Sequence, residues 1–127
     1  MKDNRDLAHG WLEKARSDLY ATERLLDGNG PYDAACFHAQ QAIEKALKAL
    51  LALSGQPIPR THDLDELQRT CNLVRPIPEL QSLDLSEATD YAVQLRYDIE
   101  FWPEKETAVQ AQALAQQVVA IITIALG

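Results

Sequence analysis

A row of four polar side chains on one long helical stretch could bind a phosphate group. The row consists of His38, Gln41, Lys45 and Lys48, at successive spacings of three, four and three residues. Residues at these spacings lie above one another on a helix, so we expect a continuous polar ridge. Its two ammonium groups suit phosphate oxygens, and its amide and imidazole can form hydrogen bonds with a base or a sugar.

The polar ridge also has a simpler interpretation, as an ordinary solvent-exposed helix face. Glu44 and Lys48 stand four residues apart, the spacing of ion pairs on many helix surfaces. Rows of charged residues usually contact solvent rather than a ligand. The spacing alone leaves both interpretations open.

Arg96 and Tyr97 offer a guanidinium group and an aromatic ring from a later helix. Arg96 borders an apolar stripe, so its side chain must reach solvent or find a partner, and Asp98 and Glu100 are near enough in sequence to hold it. Tyr97 could stack on a base or pack against the protein. We expect Arg96 and the lysines of the polar ridge to share one concave pocket.

The sequence predicts no metal site, no cofactor and no catalytic residue. His9, His38 and His62 belong to different elements, and no pair of them has the spacing of metal ligands on one helix. No Ser or Cys stands in a recognisable nucleophile motif, and there is no Gly-rich phosphate loop.

Charge is unevenly distributed along the 127 residues. The net charge is −7, but residues 34–60 sum to +2 while residues 61–127 sum to −7. Tight binding to duplex nucleic acid is not expected, because it requires broad neutralisation of phosphates. A small anionic ligand at a focused site remains compatible with this balance.

The chain is expected to lie in the cytoplasm and not in a membrane. Cys36 and Cys71 have neither metal nor disulfide-framework spacing, so we interpret both as reduced thiols. The N-terminal residues lack the apolar core of a signal peptide. The apolar run VVAIITIAL has nine residues, too few to cross a bilayer.

Hydrophobic periodicity and breaker residues predict an all-α, antiparallel up-and-down bundle of four main helices plus one short helix. Residues 1–127 are expected to form a single domain. Thr61 is the predicted N-cap of the short helix, and Gly55 the left-handed residue that ends the second. Ile99 is expected on the inner stripe of the fourth helix. The predicted helices are 4–27, 34–54, 63–73, 86–101 and 104–126, with a helical turn within 79–84.

Several stretches together resemble the HEPN family (higher eukaryotes and prokaryotes nucleotide-binding domain). They are WLEKARSDLYATERLL in the first helix, YDAACFHAQQAIEKALKALL in the second, THDLDEL after it and LRY in the fourth. The resemblance covers nearly the whole chain. It implies an all-α bundle that is usually dimeric, and one of two activities. One branch consists of metal-independent ribonucleases, often toxins, and the other binds nucleotides or accompanies a small nucleotidyltransferase.

The chain departs from the ribonuclease branch at one residue. That branch carries Arg-x(4–6)-His in the fourth helix; Arg96 matches the arginine, but no histidine follows it, and residues 97–102 read YDIEFW. Cleavage at a 2′-hydroxyl then has no evident proton carrier, unless His38 substitutes from the second helix.

The resemblance therefore favours a non-enzymatic module that binds a nucleotide or a short RNA end in a dimer cleft, as accessory subunit of a minimal nucleotidyltransferase. Lys45, Lys48 and Arg96 would supply positive charge there. The orienting residues would be His38, Gln41 and Tyr97. One alternative is a ribonuclease toxin of a toxin–antitoxin pair with an atypical site. Another is a structural subunit that docks a partner protein through the surplus apolar surface of Ile121 and Ile124.

Overall fold

The computed structural model describes residues 2–127, apart from the side chain of Arg96, and these residues form six helices. No strand occurs among them, which confirms the predicted all-α bundle. The predicted turn within 79–84 is present as one short helix slightly earlier in the chain. The helices are α1 (Asn4–Asp27), α2 (Tyr32–Leu53), α3 (Leu64–Val74), α4 (Pro78–Gln81), α5 (Ser86–Tyr97) and α6 (Lys105–Leu126).

Helix α2 is the centre of the bundle, because α1, α3, α5 and α6 all pack against it. Its apolar side chains are buried almost without exception from Ala35 to Ala52. The surrounding helices also cover much of its polar side. Glu44 is 4% exposed and Lys48 is 8% exposed. The interpretation of this side as a solvated face is therefore wrong for both residues.

Local signals set most helix ends, with one correction. Asp3 and Asp6 form a reciprocal capping box at the start of α1. Gly55 has a φ of 73°, as predicted for the left-handed residue that follows α2. The predicted N-cap of α3, Thr61, is wrong: Asp63 accepts from the backbone N–H groups of Asp65 and Glu66. Thr61 instead accepts from the Asp63 backbone N–H.

Helix α5 ends four residues earlier than the predicted 86–101. Its last turn closes at Asp98, whose N–H donates to the Gln94 carbonyl. Phe101 then turns back and stacks on Tyr91, with ring centroids 6.0 Å apart. The stacked rings cover apolar surface on each other. This favours a helix that ends before Phe101. Ile99 therefore lies outside the helix and is 90% exposed, so its predicted place on the inner stripe is wrong.

Helix α6 contains the nine-residue apolar run within a longer element of 22 residues. By length and composition alone this helix could cross a membrane. One face of it packs against α1 and α2, and the core helices of soluble proteins meet the same criterion. Ile124 on its outer side is exposed, and Ile121 is half-buried.

Both cysteines are free and buried, which predicts slow reaction with thiol reagents. Burial raises the pKa of Cys36 from 9.0 to about 11, with added repulsion from Asp33 and Glu87, and burial raises that of Cys71 to about 12. Because the thiolate is the nucleophile, the raised pKa of Cys36 lowers its reactive fraction at pH 8 about a hundredfold. We expect alkylation at pH 8 to be slower by about this factor in the native protein than in urea.

The same pKa shifts give a stability dependence at high pH. A pKa raised on folding contributes stability that is complete below the ordinary value of 9.0 and is lost as the pH rises through 11 and 12. Urea denaturation should therefore give a lower free energy of unfolding at pH 10.5 than at pH 8. In the alkylation experiment, equal rates in native and unfolded protein would contradict the burial of the thiols.

Candidate functional site

One buried carboxylate holds two residues of the polar ridge. Asp18 of α1 accepts from His38 Nδ1 at 2.8 Å and from Lys45 Nζ at 2.5 Å, both on α2. Asp18 reaches α2 because it shares the inner face of α1 with Ala15 and Thr22. Thr22 donates to the Ala35 carbonyl at 3.2 Å and so ties the two helices together beside this cluster.

The Asp18 contact fixes how the His38 ring is used. An ionised carboxylate only accepts hydrogen bonds, so Nδ1 of His38 must carry the proton. Nε2 is then an acceptor in the neutral ring and a donor in the protonated ring. The His38 side chain is 35% exposed while Asp18 is nearly covered, so the ring is held from the inside and accessible from the outside.

Lys45 retains binding capacity despite its ion pair. Its ammonium group has three N–H donors, and Asp18 takes one of them. The side chain is 25% exposed. Lys45 and His38 are therefore two cationic or potentially cationic groups on one carboxylate, both open to solvent on one side.

A second cluster is built on Glu44, which also lies on α2. Glu44 Oε1 accepts from His62 Nδ1 at 2.8 Å and Oε2 accepts from Lys48 Nζ at 3.1 Å. Gln40 is fully buried and donates to both Glu44 Oε1 and the His62 carbonyl, at 3.3 Å each. This cluster fastens the loop before α3 to α2, and it also leaves a second imidazole, that of His62, largely exposed.

Lys48 is part of the interior rather than of an open site. Its Nζ is paired with Glu44 and lies 5.6 Å from the centroid of the Trp11 ring, on α1. A cation over an aromatic face is stabilised by the ring quadrupole. The Lys48 charge is thus stabilised by both the Glu44 carboxylate and the Trp11 ring. The role of Lys48 in the structure is to form an ion pair with the buried Glu44.

The remaining predicted site residues lie in two places. Gln41 is half-buried next to the two clusters, and its amide donates to Gln40 Oε1 at 2.7 Å. Tyr97 is at the C-terminal end of α5 and is 79% exposed. Arg96 precedes it in α5, and its side chain lies outside the described part of the chain. The structure therefore places His38 and Lys45 in one hydrogen-bonded cluster with Asp18, and Gln41 and Lys48 in a second cluster around Glu44. Among the described residues, no hydrogen bond joins Tyr97 to either cluster.

Sequence reasoning missed the residues that organise both clusters. Asp18 gave a usable signal, because it is an acidic residue in the apolar stripe between Ala15 and Thr22. Gln40 stands likewise among buried α2 positions. His62 gave none, since its approach to Glu44 depends on the path of the loop between α2 and α3.

The arrangement is suited to electrostatic and proton-transfer chemistry. Its charges are two carboxylates, two ammonium groups and two imidazoles, so protonation of the imidazoles makes it cationic. Among residues 2–127 as described, no group of three or more His, Cys, Asp or Glu side chains is placed to hold a metal ion.

Comparisons with known proteins cover most of the chain, and they agree with the observed fold. The crystal structure of TT1696 from Thermus thermophilus is similar, with a TM-score of 0.71 and 31% sequence identity over 91% of this chain and 95% of that one. A search of curated proteins gave no match. The family model of the HEPN domain matches residues 8–125. The chain belongs to the HEPN domain family.

Proposed function

We propose that the protein binds a nucleotide or a short RNA end, and that His38 and Lys45 contact its phosphate. The main support for this proposal is that His38 and Lys45 share one carboxylate. Asp18 orients both side chains, and each of them stays partly exposed. A protonated His38 Nε2 and the remaining N–H groups of Lys45 can donate to phosphate oxygens, and such charge-assisted bonds are the strong ones.

Gln41 is the proposed orienting residue beside this phosphate site. It lies three residues after His38 and four before Lys45, on the same side of α2. Its amide uses one N–H on Gln40, which leaves the carbonyl and a second N–H for a base or a sugar. Lys48 would contribute only by stabilising the fold around the site. Arg96 and Tyr97 would contact the ligand from α5.

Dimerisation, a minimal nucleotidyltransferase partner and a cytoplasmic location complete this proposal. The outer side of α6 supports a contact with another subunit, because Ile77, Ile121 and Ile124 line a groove of about 450 Å³ flanked by Arg75 and Glu79. Arg75 and Glu79 carry opposite charges, which can pair reciprocally across a two-fold axis. Two free, buried thiols are typical of proteins in a reducing compartment.

A ribonuclease is the second candidate, and one observation favours it. The family motif's histidine is missing after Arg96, but His38 and His62 are each held through Nδ1 by a carboxylate. A carboxylate in this position fixes the ring and stabilises its protonated form, as required of a general base. Either imidazole could then carry the proton that cleavage at a 2′-hydroxyl requires.

Calorimetric titration with AMP, ATP, GTP and a short single-stranded RNA tests the binding site. We expect Lys45→Ala and His38→Ala each to raise the dissociation constant about tenfold or more, because a hydrogen bond to a charged group contributes about 1.5 to 3 kcal/mol. Lys14→Ala is the matched control, since it removes an exposed lysine from α1. No heat with any ligand, or equal loss in the control, would contradict the proposal.

The same RNA incubated with EDTA separates the two candidate functions. Binding without cleavage supports the binding module. Cleavage that His38→Ala or His62→Ala abolishes supports the ribonuclease and makes the binding module wrong as the main function. A control RNA with 2′-deoxy sugars should bind in either case and resist cleavage.

A further inference from the structure

Four large apolar side chains are exposed in ten residues at the end of α5, and neither cluster on α2 involves them. Ile99 is 90% exposed, Tyr97 79% and Trp102 74%. Single exposed apolar residues are ordinary, but four of them within ten residues are typical of an interaction surface. We call it the α5-end surface, with the apolar members Val93, Tyr97, Ile99 and Trp102.

These side chains are held close together by the backbone. Val93 and Tyr97 are four residues apart on α5 and so lie on one side of the helix. The Phe101 N–H donates to the Asp98 carbonyl at 3.1 Å, which closes a turn directly after the helix. Phe101 is anchored against Tyr91. Ile99 therefore lies within a hydrogen-bonded turn at the helix end, and Trp102 follows that turn directly.

The segment that carries the α5-end surface is also strongly acidic. Residues 84–106 contain seven acidic and two basic residues, a net charge of −5. The carboxylates nearest to the apolar group in sequence are all on exposed residues. They are Asp90, Asp98, Glu100 and Glu104.

We propose that the α5-end surface binds a cationic polypeptide segment with an apolar face, such as a Lys- or Arg-rich amphipathic helix of a partner protein. Its apolar residues would cover Tyr97, Ile99 and Trp102, and its basic residues would meet the carboxylates. Rims of opposite charge guide such complexes and exclude other partners.

The charge of the surface argues against the two other occupants. A second copy would place the same carboxylates against each other across a two-fold contact, and like charges facing one another are unfavourable. A nucleic acid would bring phosphates to exposed carboxylates in a segment of net charge −5, and like charges repel. The inference leaves the proposed contacts of His38 and Lys45 unchanged, but it assigns Tyr97 to the partner segment instead of to the nucleotide.

Trp102 provides an intrinsic probe for the experiment. The full chain is titrated with a peptide of about 14 Leu and Lys residues in a helical amphipathic pattern, and with a matched Leu and Glu peptide. We expect only the Lys peptide to shift the emission to the blue and to protect Trp102 from acrylamide. Trp102→Phe gives the background signal, since it keeps a ring and leaves Trp11 in place.

Two variants of equal net charge distinguish binding at the α5-end surface from general attraction between the peptide and an acidic protein. Asp90→Asn/Glu100→Gln/Glu104→Gln should weaken peptide binding about tenfold or more. Glu13→Gln/Asp27→Asn/Glu66→Gln removes three exposed acids elsewhere and should change it less than about twofold. Hydrogen exchange of the unmodified protein needs no variant. The Lys peptide should slow the exchange of backbone amides within residues 93–104.

Three results would overturn the inference. One is equal weakening by both variants. Another is protection of Trp102 that rises with protein concentration in the absence of peptide, which would make a second copy the occupant. The third is protection of Trp102 by a short RNA but not by the Lys peptide.

Discussion

Glu44→Ala is expected to lower the free energy of unfolding by about 3 to 5 kcal/mol. The carboxylate accepts from Lys48, His62 and Gln40, and it is almost fully buried. Its removal leaves the Lys48 ammonium group without a carboxylate in an interior that desolvates it. Urea denaturation followed by circular dichroism measures the effect.

A double variant and a surface control make this prediction specific. Replacing both charges in Glu44→Leu/Lys48→Met should restore much of the stability, because no buried charge is then left unpaired. Glu13→Ala on the exposed side of α1 should change stability by less than about 0.5 kcal/mol. If Glu44→Ala matched that surface control, the buried network would not be stabilising α2.

Leu50→Ala is expected to cost about 2 to 5 kcal/mol of stability, from the lost transfer energy and the cavity that remains. Leu50 is fully buried in α2, and the helices around it leave little freedom to collapse into the space. Leu73→Ala is a matched control, because the same atoms are removed from a helical leucine that is 84% exposed. Its cost should stay below about 0.5 kcal/mol.

The comparison of the two leucines is measured by the midpoint and slope of urea denaturation. A change in midpoint at constant slope reports stability alone. If Leu73→Ala were as costly as Leu50→Ala, α3 would be covered by another subunit in solution, and the burial of a single chain would be the wrong reference. That result would bear on the proposed dimer.

These stability effects constrain how functional variants are interpreted. His38 and Lys45 are only partly buried, and Asp18 retains one partner when the other is removed. Their alanine variants should therefore fold and report on binding. Glu44 and Lys48 variants would confound binding with unfolding, since both residues belong to the interior of the bundle.

Much of the fold could be read from local signals. Breaker residues and apolar periodicity placed α1, α2 and α6 within two residues of their observed ends, because each helix needs one continuous apolar stripe and a residue that stops it. The quoted stretches led to the family that the comparisons show. The row of His38, Gln41, Lys45 and Lys48 was likewise visible, since helical spacing alone aligns these residues.

Tertiary packing decided what surrounds that row. Periodicity tells which residues share a side of α2, but not which neighbouring helix or loop covers that side. Asp18 and His62 reach α2 from distant parts of the chain, and they turned an apparent solvent face into two ion-paired clusters. The end of α5 was also decided by a contact across space, because the stacking of Phe101 on Tyr91 favours leaving the helix at Tyr97. Long-range desolvation and pairing have no signature in residue spacing, and for that reason the partners of each charge came only from the folded chain.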